Sequence, residues 1–222
     1  MPLSHSAVRA TAAAPAIASQ LGPDVAVLEG IFGDGVAVAA WQRPAPAALD
    51  AWLAHALPRA EVLELAQVRP DEPELADVLR ALPDAPERAA LARHLAELVE
   101  LYAILTDASR VGLRFCVTAG QPCPRFHVDR VGLRLITTLR GPGTQWLEPD
   151  DVDRRRLGPG SGGLPDESSG LLRPGAAIRQ LAAFDVGVFK GESWPGNAGR
   201  GAVHRSPPPD GSFRAMVTLD AL

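Results

Sequence analysis

Lysine is all but absent. Lys190 is the only one among 22 basic side chains, the rest being arginine. No cluster of those arginines is dense enough for a nucleic-acid footprint, since Arg154–Arg156 is short and neighbours Asp150, Asp151 and Asp153. Only two cysteines occur, Cys116 and Cys123, too few for a secreted disulfide scaffold, so reduced thiols in a cytoplasm are expected. No apolar run approaches the roughly 20 residues of a membrane span, so no helical membrane association is expected. No internal repeat is visible. The alanine-rich stretch from Ala7 to Ser19 lacks the leucine core and basic start of a targeting peptide, and residues 1–20 read as a flexible leader.

What remains is an ordinary globular composition, 46% hydrophobic and 22% charged over 222 residues, enough for one substantial core with a helical annex. The charge is divided unevenly. Residues 1–110 carry 8 basic and 15 acidic side chains, a balance of −7, and residues 111–222 carry 14 and 11, a balance of +3. A mildly basic C-terminal half favours a small anionic ligand.

Residues 21–110 read as mainly helical with two short strands, Val25–Leu28 and Val36–Trp41, separated by the turn Gly33-Asp34-Gly35. Leu49, Trp52, Leu53, Ala56 and Leu57 form the apolar stripe of a first helix that Pro58 ends. Leu75, Val78, Leu79 and Leu82 mark a second. Leu91, Leu95, Leu98, Tyr102 and Leu105 mark a third, opened by a capping box of Asp84 and Glu87 with Pro86 in the first turn.

The texture changes near Arg110. Val111–Thr118, Phe126–Leu139, Thr144–Leu147, Ile178–Leu181, Phe184–Phe189, Gly201–His204 and Phe213–Leu219 lack a helical period and read as short strands of a sandwich or barrel occupying residues 111–222. Between them, Asp150–Gly175 is a Gly/Pro-rich loop long enough to act as a lid or specificity element.

In an extended chain residues i and i+2 share a face, so His127 and Asp129 point together. Val131, Leu133 and Leu135 follow by the same parity, placing the pair at one end of an apolar lining. A bare His-x-Asp is common by composition, so its weight comes from its companions. His204 falls in a late strand, 75 residues after Asp129, and Arg214 follows ten residues later. Two imidazoles and one carboxylate form the facial triad of non-haem Fe(II) oxygenases, with three positions left open. An arginine one strand over can pair with a distant cosubstrate carboxylate.

Phe126-His127-Val128-Asp129, then Thr137-Thr138-Leu139 and Gly143-Thr144-Gln145-Trp146-Leu147-Glu148-Pro149, resembles the first half of the 2-oxoglutarate/Fe(II)-dependent dioxygenase superfamily. Asp185–Gly191, Val203-His204-Arg205-Ser206-Pro207 and Phe213-Arg214 are similar to its second half. The resemblance implies an α+β chain, with the helical N-terminal part packed on a C-terminal double-stranded β-helix, a jelly-roll or cupin-like barrel. It further implies Fe(II) held by His127, Asp129 and His204, and 2-oxoglutarate anchored by Arg214, for hydroxylation of a substrate not named by the sequence. Where such families place a hydroxyl two residues after the arginine, this chain has Met216, leaving Thr138 or Thr218 to substitute. Nearly the whole chain is also similar to an uncharacterised bacterial family catalogued as a domain of unknown function, through Val38–Pro44, Cys123–Asp129 and Phe189-Lys190-Gly191-Glu192. Some of its members resemble zinc-homeostasis proteins in context.

Cys123 precedes His127 by four residues. As a fourth ligand it would close a tetrahedral zinc site and make the chain a non-catalytic zinc-binding protein of metal homeostasis. Read blandly, it is a small packing residue in a Cys-Pro turn. Cys116 reads as core, His5 as leader, and His55 and His94 as exposed helix positions. Trp146 and Trp194 are candidates for lining a substrate pocket.

Overall fold

A computed structural model describes residues 18–222. In chain order the strands are β1 (Ala18–Gly22), β2 (Val36–Trp41), β3 (Val62–Val68), β4 (Val111–Thr118), β5 (Leu133–Arg140), β6 (Gln145–Leu147), β7 (Ile178–Gln180), β8 (Val186–Lys190), β9 (Val203–Arg205) and β10 (Arg214–Ala221). Two α-helices accompany them, α1 (Ala47–Ala56) and α2 (Pro86–Thr106). Seven strands form a large sheet in the order β1-β2-β8-β5-β10-β4-β3, and three form a small one, β7-β6-β9. His127 adds a single antiparallel bridge to His204 beside β9. From β4 onward the chain therefore passes back and forth between the sheets, which is the winding of a jelly roll.

The large sheet has two working faces. On the outer one, Val111, Leu113, Phe115 and Val117 of β4 and Ala215, Val217 and Leu219 of β10 pack with Leu91, Leu95, Leu98 and Tyr102 of α2. Each leucine buried there contributes on the order of 2 kcal/mol. Tyr102 ties the layers together, its hydroxyl donating to the Leu133 carbonyl (2.7 Å) and accepting from the Ala221 N–H (3.1 Å). The inner face, with Val38, Ile136, Phe189 and Met216, meets Trp146 of the small sheet.

α1 and α2 form where their stripes place them. Other elements differ from the sequence reading. Val25–Phe32 is a 3-10 helix, not a strand, started by the Asp24 carboxylate accepting from the Ala26 N–H (2.9 Å). Leu75, Val78, Leu79 and Leu82 are all buried, but residues 76–81 form turns. Between Pro73 and Pro83 one helical bond forms, from the Leu79 N–H to the Leu75 carbonyl (3.3 Å), and it is not propagated. The Asp84–Glu87 capping box does not form: Ala85 is the N-cap of α2 and Asp84 instead pairs with Arg88. His94 is buried, not exposed.

From sequence, the N-terminal part is expected to be mainly helical, with two short strands, and packed on the C-terminal barrel. It supplies three strands to the large sheet: β1 and β2 at one end, β3 at the other. β3 escapes periodicity because it has apolar residues on both faces. The leader expected over residues 1–20 lies outside the described residues except for Ala18–Gln20, which open β1. Among the described residues no helix is long and apolar enough to cross a membrane.

Candidate metal centre and cosubstrate pocket

His127 and His204 face each other across the bridge, each donating its backbone N–H to the other's carbonyl at 3.0 Å. Their ring centroids are 4.6 Å apart. Each Nδ1 is occupied by a backbone carbonyl, that of Arg125 (2.9 Å) for His127 and that of Ala202 (3.1 Å) for His204. Such bonds fix the tautomer and leave both Nε2 lone pairs free. Both Nε2 atoms turn toward Asp129, at 3.6 Å from Oδ1 for His127 and 3.2 Å from Oδ2 for His204. One ligand atom from each of the three residues lies within 4.8 Å of the others.

The Asp129 backbone is held from behind. Its carbonyl accepts from the Glu192 N–H (2.9 Å), and Gly191 and Ser193 bond to Gly132 and Val131. A Cβ at Gly191 would stand 2.2 Å from the Val131 carbonyl oxygen, so only glycine allows this approach. Residues 129–132 thus hug the 191–193 segment instead of continuing the ladder, and the strand expected over Phe126–Leu139 is interrupted. Strand parity is lost as a consequence. Leu133 and Leu135 face the α2 side, and Arg134 and Ile136 face the cavity.

Arg134, unremarked in the sequence, clamps Asp129 Oδ2 at 2.7 Å while gripping Asp220 through two 2.7 Å bonds. Burial alone would push the Asp129 carboxyl up. The two adjacent imidazoles, to the extent that they are protonated, and the Arg134 charge outweigh it and hold the carboxyl far below its ordinary range. The Asp129 carboxylate in turn raises the His127 imidazole, against burial. The result is an anionic ligand between two imidazoles.

These residues line a cavity of about 470 Å³, together with Leu63, Leu65, Cys116, Ile136 and Met216. Arg214, only 4% exposed, lies beneath it. Its Nη2 donates to the hydroxyls of Thr138 (3.1 Å) and Thr144 (3.3 Å), and Thr144 lines the cavity. Nε and Nη1 of the same guanidinium are buried with no partner among the described residues. Burial pushes its pKa down to about 10, which leaves it charged at neutral pH. Met216 therefore does not leave the arginine without a hydroxyl neighbour. Thr138 stands beside it, and Thr144, which sequence reasoning missed, stands there too. Thr218 lines the cavity, its own hydroxyl unpaired among the described residues.

The remaining candidates are dispersed. Cys123 is exposed and lines the cavity, but it is outside the converging set of ligand atoms. Trp146 is buried in the barrel on β6, directly opposite His204. Trp194 does not line the cavity: it packs at a tilt against Phe32 (ring centroids 5.9 Å apart) and borders a groove with Ile104 and Leu105. No residue of the Asp150–Gly175 segment lines the cavity. That segment is a buttress instead of a lid. Val152 and Leu171 pack with Phe126, Leu147 and Val203, and the buried Asp166 accepts from the Phe126 N–H (2.7 Å), Arg125 (3.1 Å) and Arg205 (3.3 Å).

Among solved structures the chain is similar to the rice dioxygenase for auxin oxidation (14% identity, 80% of this chain and 64% of that one, TM-score 0.41). It thus spans just under two thirds of that enzyme. It is also similar to a Pseudomonas putida prolyl-4-hydroxylase (13%, 88% and 96%, TM-score 0.42). A third such structure is an oxidoreductase of the 2OG-Fe(II) oxygenase family from Burkholderia pseudomallei (12%, 87% and 88%, TM-score 0.40). No curated protein matches it in sequence. Over residues 22–220 the chain matches the family described as "Protein of unknown function (DUF1826)", and it belongs to that family.

Proposed function

We propose that the protein is a non-haem Fe(II)- and 2-oxoglutarate-dependent oxygenase that hydroxylates a substrate bound in the cavity. The observation that carries this reading is a buried, charged guanidinium with two donors unpartnered among the described residues, set beneath a cavity that also holds a converging His-Asp-His cluster. An uncompensated buried cation is costly, and a bidentate carboxylate is its natural complement. His127, Asp129 and His204 would hold the metal, and Arg214 with Thr138 and Thr144 would hold the cosubstrate's remote carboxylate. Bound there, Fe(II) would activate molecular oxygen, the oxidant: one oxygen atom would hydroxylate the substrate, and the other would end in succinate as 2-oxoglutarate loses CO2. The chain's own part is to fix the imidazole tautomers through the Arg125 and Ala202 carbonyls, to keep Asp129 ionised through Arg134, and to offer a mainly apolar space in front.

A closed zinc site is the less favoured reading. It needs a fourth protein ligand, and Cys123 is outside the converging set. Three protein ligands with an open side suit a catalytic centre.

Anaerobic titration separates the readings. Fe(II) and 2-oxoglutarate added together should produce a metal-to-ligand charge-transfer band, absent in His204→Ala. Arg214→Met should weaken 2-oxoglutarate binding roughly 10- to 100-fold, the loss of charge-assisted hydrogen bonds. Its thermal midpoint should not fall, because a buried unpaired charge is exchanged for an apolar chain of similar length. A wild-type protein that gives no band sinks the proposal.

A further inference from the structure

Strand register composes the cavity floor row by row. β3 pairs with β4 so that Leu63 stands opposite Cys116 and Leu65 opposite Arg114. β10 extends the two rows with Met216 and Thr218, and β5 completes them with Thr138 and Ile136. At the β3 end the floor is open: Leu63 is 60% and Leu65 67% exposed, while Val62, Ala66 and Val68 on the other face pack in the core. An edge strand with one buried face ordinarily turns polar residues outward. Two adjacent leucines there form an apolar surface continuous with the metal cavity, as expected of a ligand wall.

The charged groups around this floor are nearly all committed. Arg134 is held by Asp129 and Asp220, Arg214 lies beneath, and Glu61 accepts from the Ala119 N–H (3.0 Å). Arg114, in the middle of the Leu65 row, has no hydrogen bond or ion pair among the described residues and lines the cavity. The volume of about 470 Å³ suits a small molecule.

Taking the site as the oxygenase centre proposed above, we infer that its substrate is a small apolar carboxylate, its acid group held by Arg114 and its hydrocarbon body laid over Leu63 and Leu65. Arg114 on β4 is two strands, roughly 10 Å, from β5, whose Arg134 holds Asp129. The carbon presented to His127, Asp129 and His204 is therefore several bonds from the acid group.

Decanoate is a suitable probe, with decyltrimethylammonium as its cationic counterpart, titrated calorimetrically into the full-length protein with and without saturating 2-oxoglutarate. Decanoate should bind in both conditions, and the cation at least roughly tenfold more weakly. Arg114→Gln should weaken decanoate roughly tenfold and Leu65→Ser several-fold, while Arg114→Lys retains most of the affinity. Both positions are exposed, so thermal midpoints should hold. The inference is overturned by absent decanoate binding, by preference for the cation, by unchanged affinity in Arg114→Gln, or by displacement of decanoate by 2-oxoglutarate, which would place it on Arg214. The charge-transfer band should persist in Arg114→Gln. Its absence from the wild type would sink the oxygenase reading by itself, leaving the decanoate result to judge the Arg114 subsite.

Discussion

Arg43 places Nη2 2.6 Å from Nε2 of His94 on α2, with its Nε donating to the Phe184 carbonyl (2.9 Å). Glu97 and Asp185 balance the guanidinium's charge. His94 is 8% exposed, and burial together with Arg43 lowers its pKa to about 4. Below the unfolded value near 6.5 the unfolded chain binds a proton that the native state refuses. Stability is therefore complete above about pH 6.5 and declines as pH falls toward 4, a loss of about 3 kcal/mol. Denaturant unfolding at pH 7 and at pH 4.5 should show this decline in the wild type and a shallower one in His94→Gln, whose amide oxygen still accepts from Arg43. Equal declines would remove His94 as the cause. Helical spacing does place this residue on the buried stripe, three residues after Leu91 and four before Leu98; its partner Arg43, 51 residues away, is what no local pattern reveals.

The Asp150–Gly175 segment has the composition of a lid, yet its carboxylate Asp166 is a fixed point of the small sheet. Two of its partners, the Phe126 N–H and Arg125, immediately precede His127. Asp166→Ala should cost about 3 kcal/mol, since it leaves Arg205 and a buried N–H less well satisfied. Metal binding should weaken by roughly tenfold as the His127 backbone loosens. Urea denaturation and a Zn(II) titration check both, and unchanged values in each would show that the segment supports nothing. Composition announced a long irregular segment correctly. What it packed against was illegible, because Asp166 finds partners 40 and 39 residues away. α2 is the opposite case: a stripe at three- and four-residue spacing has one good burial solution, so its existence was legible.

The two halves distinguished by charge and texture share one core, with Leu28, Leu53 and Leu95 in the same cluster as Phe115, Leu135 and Leu219. Removing residues 1–110 would strip β1, β2 and β3 from the large sheet and bare the outer face of β4, β5 and β10. A fragment of residues 111–222 is expected to be unfolded or aggregated by circular dichroism and gel filtration, and the full chain to unfold in one transition. A soluble fragment with native strand content would show the barrel to be independent.

Short-range pattern alone determined α1, α2, the strand-rich C-terminal half and the order His127, Asp129, His204, Arg214, because these depend on periodicity and spacing within the chain. Tertiary structure decided the rest. The bridge that sets His127 against His204, the press of Gly191 that reverses parity after Asp129, the clamp of Arg134 and the row joining Leu65 to Arg114 all depend on register between distant strands. Register is set by pairing and burial across the sheet, so no local pattern encodes it.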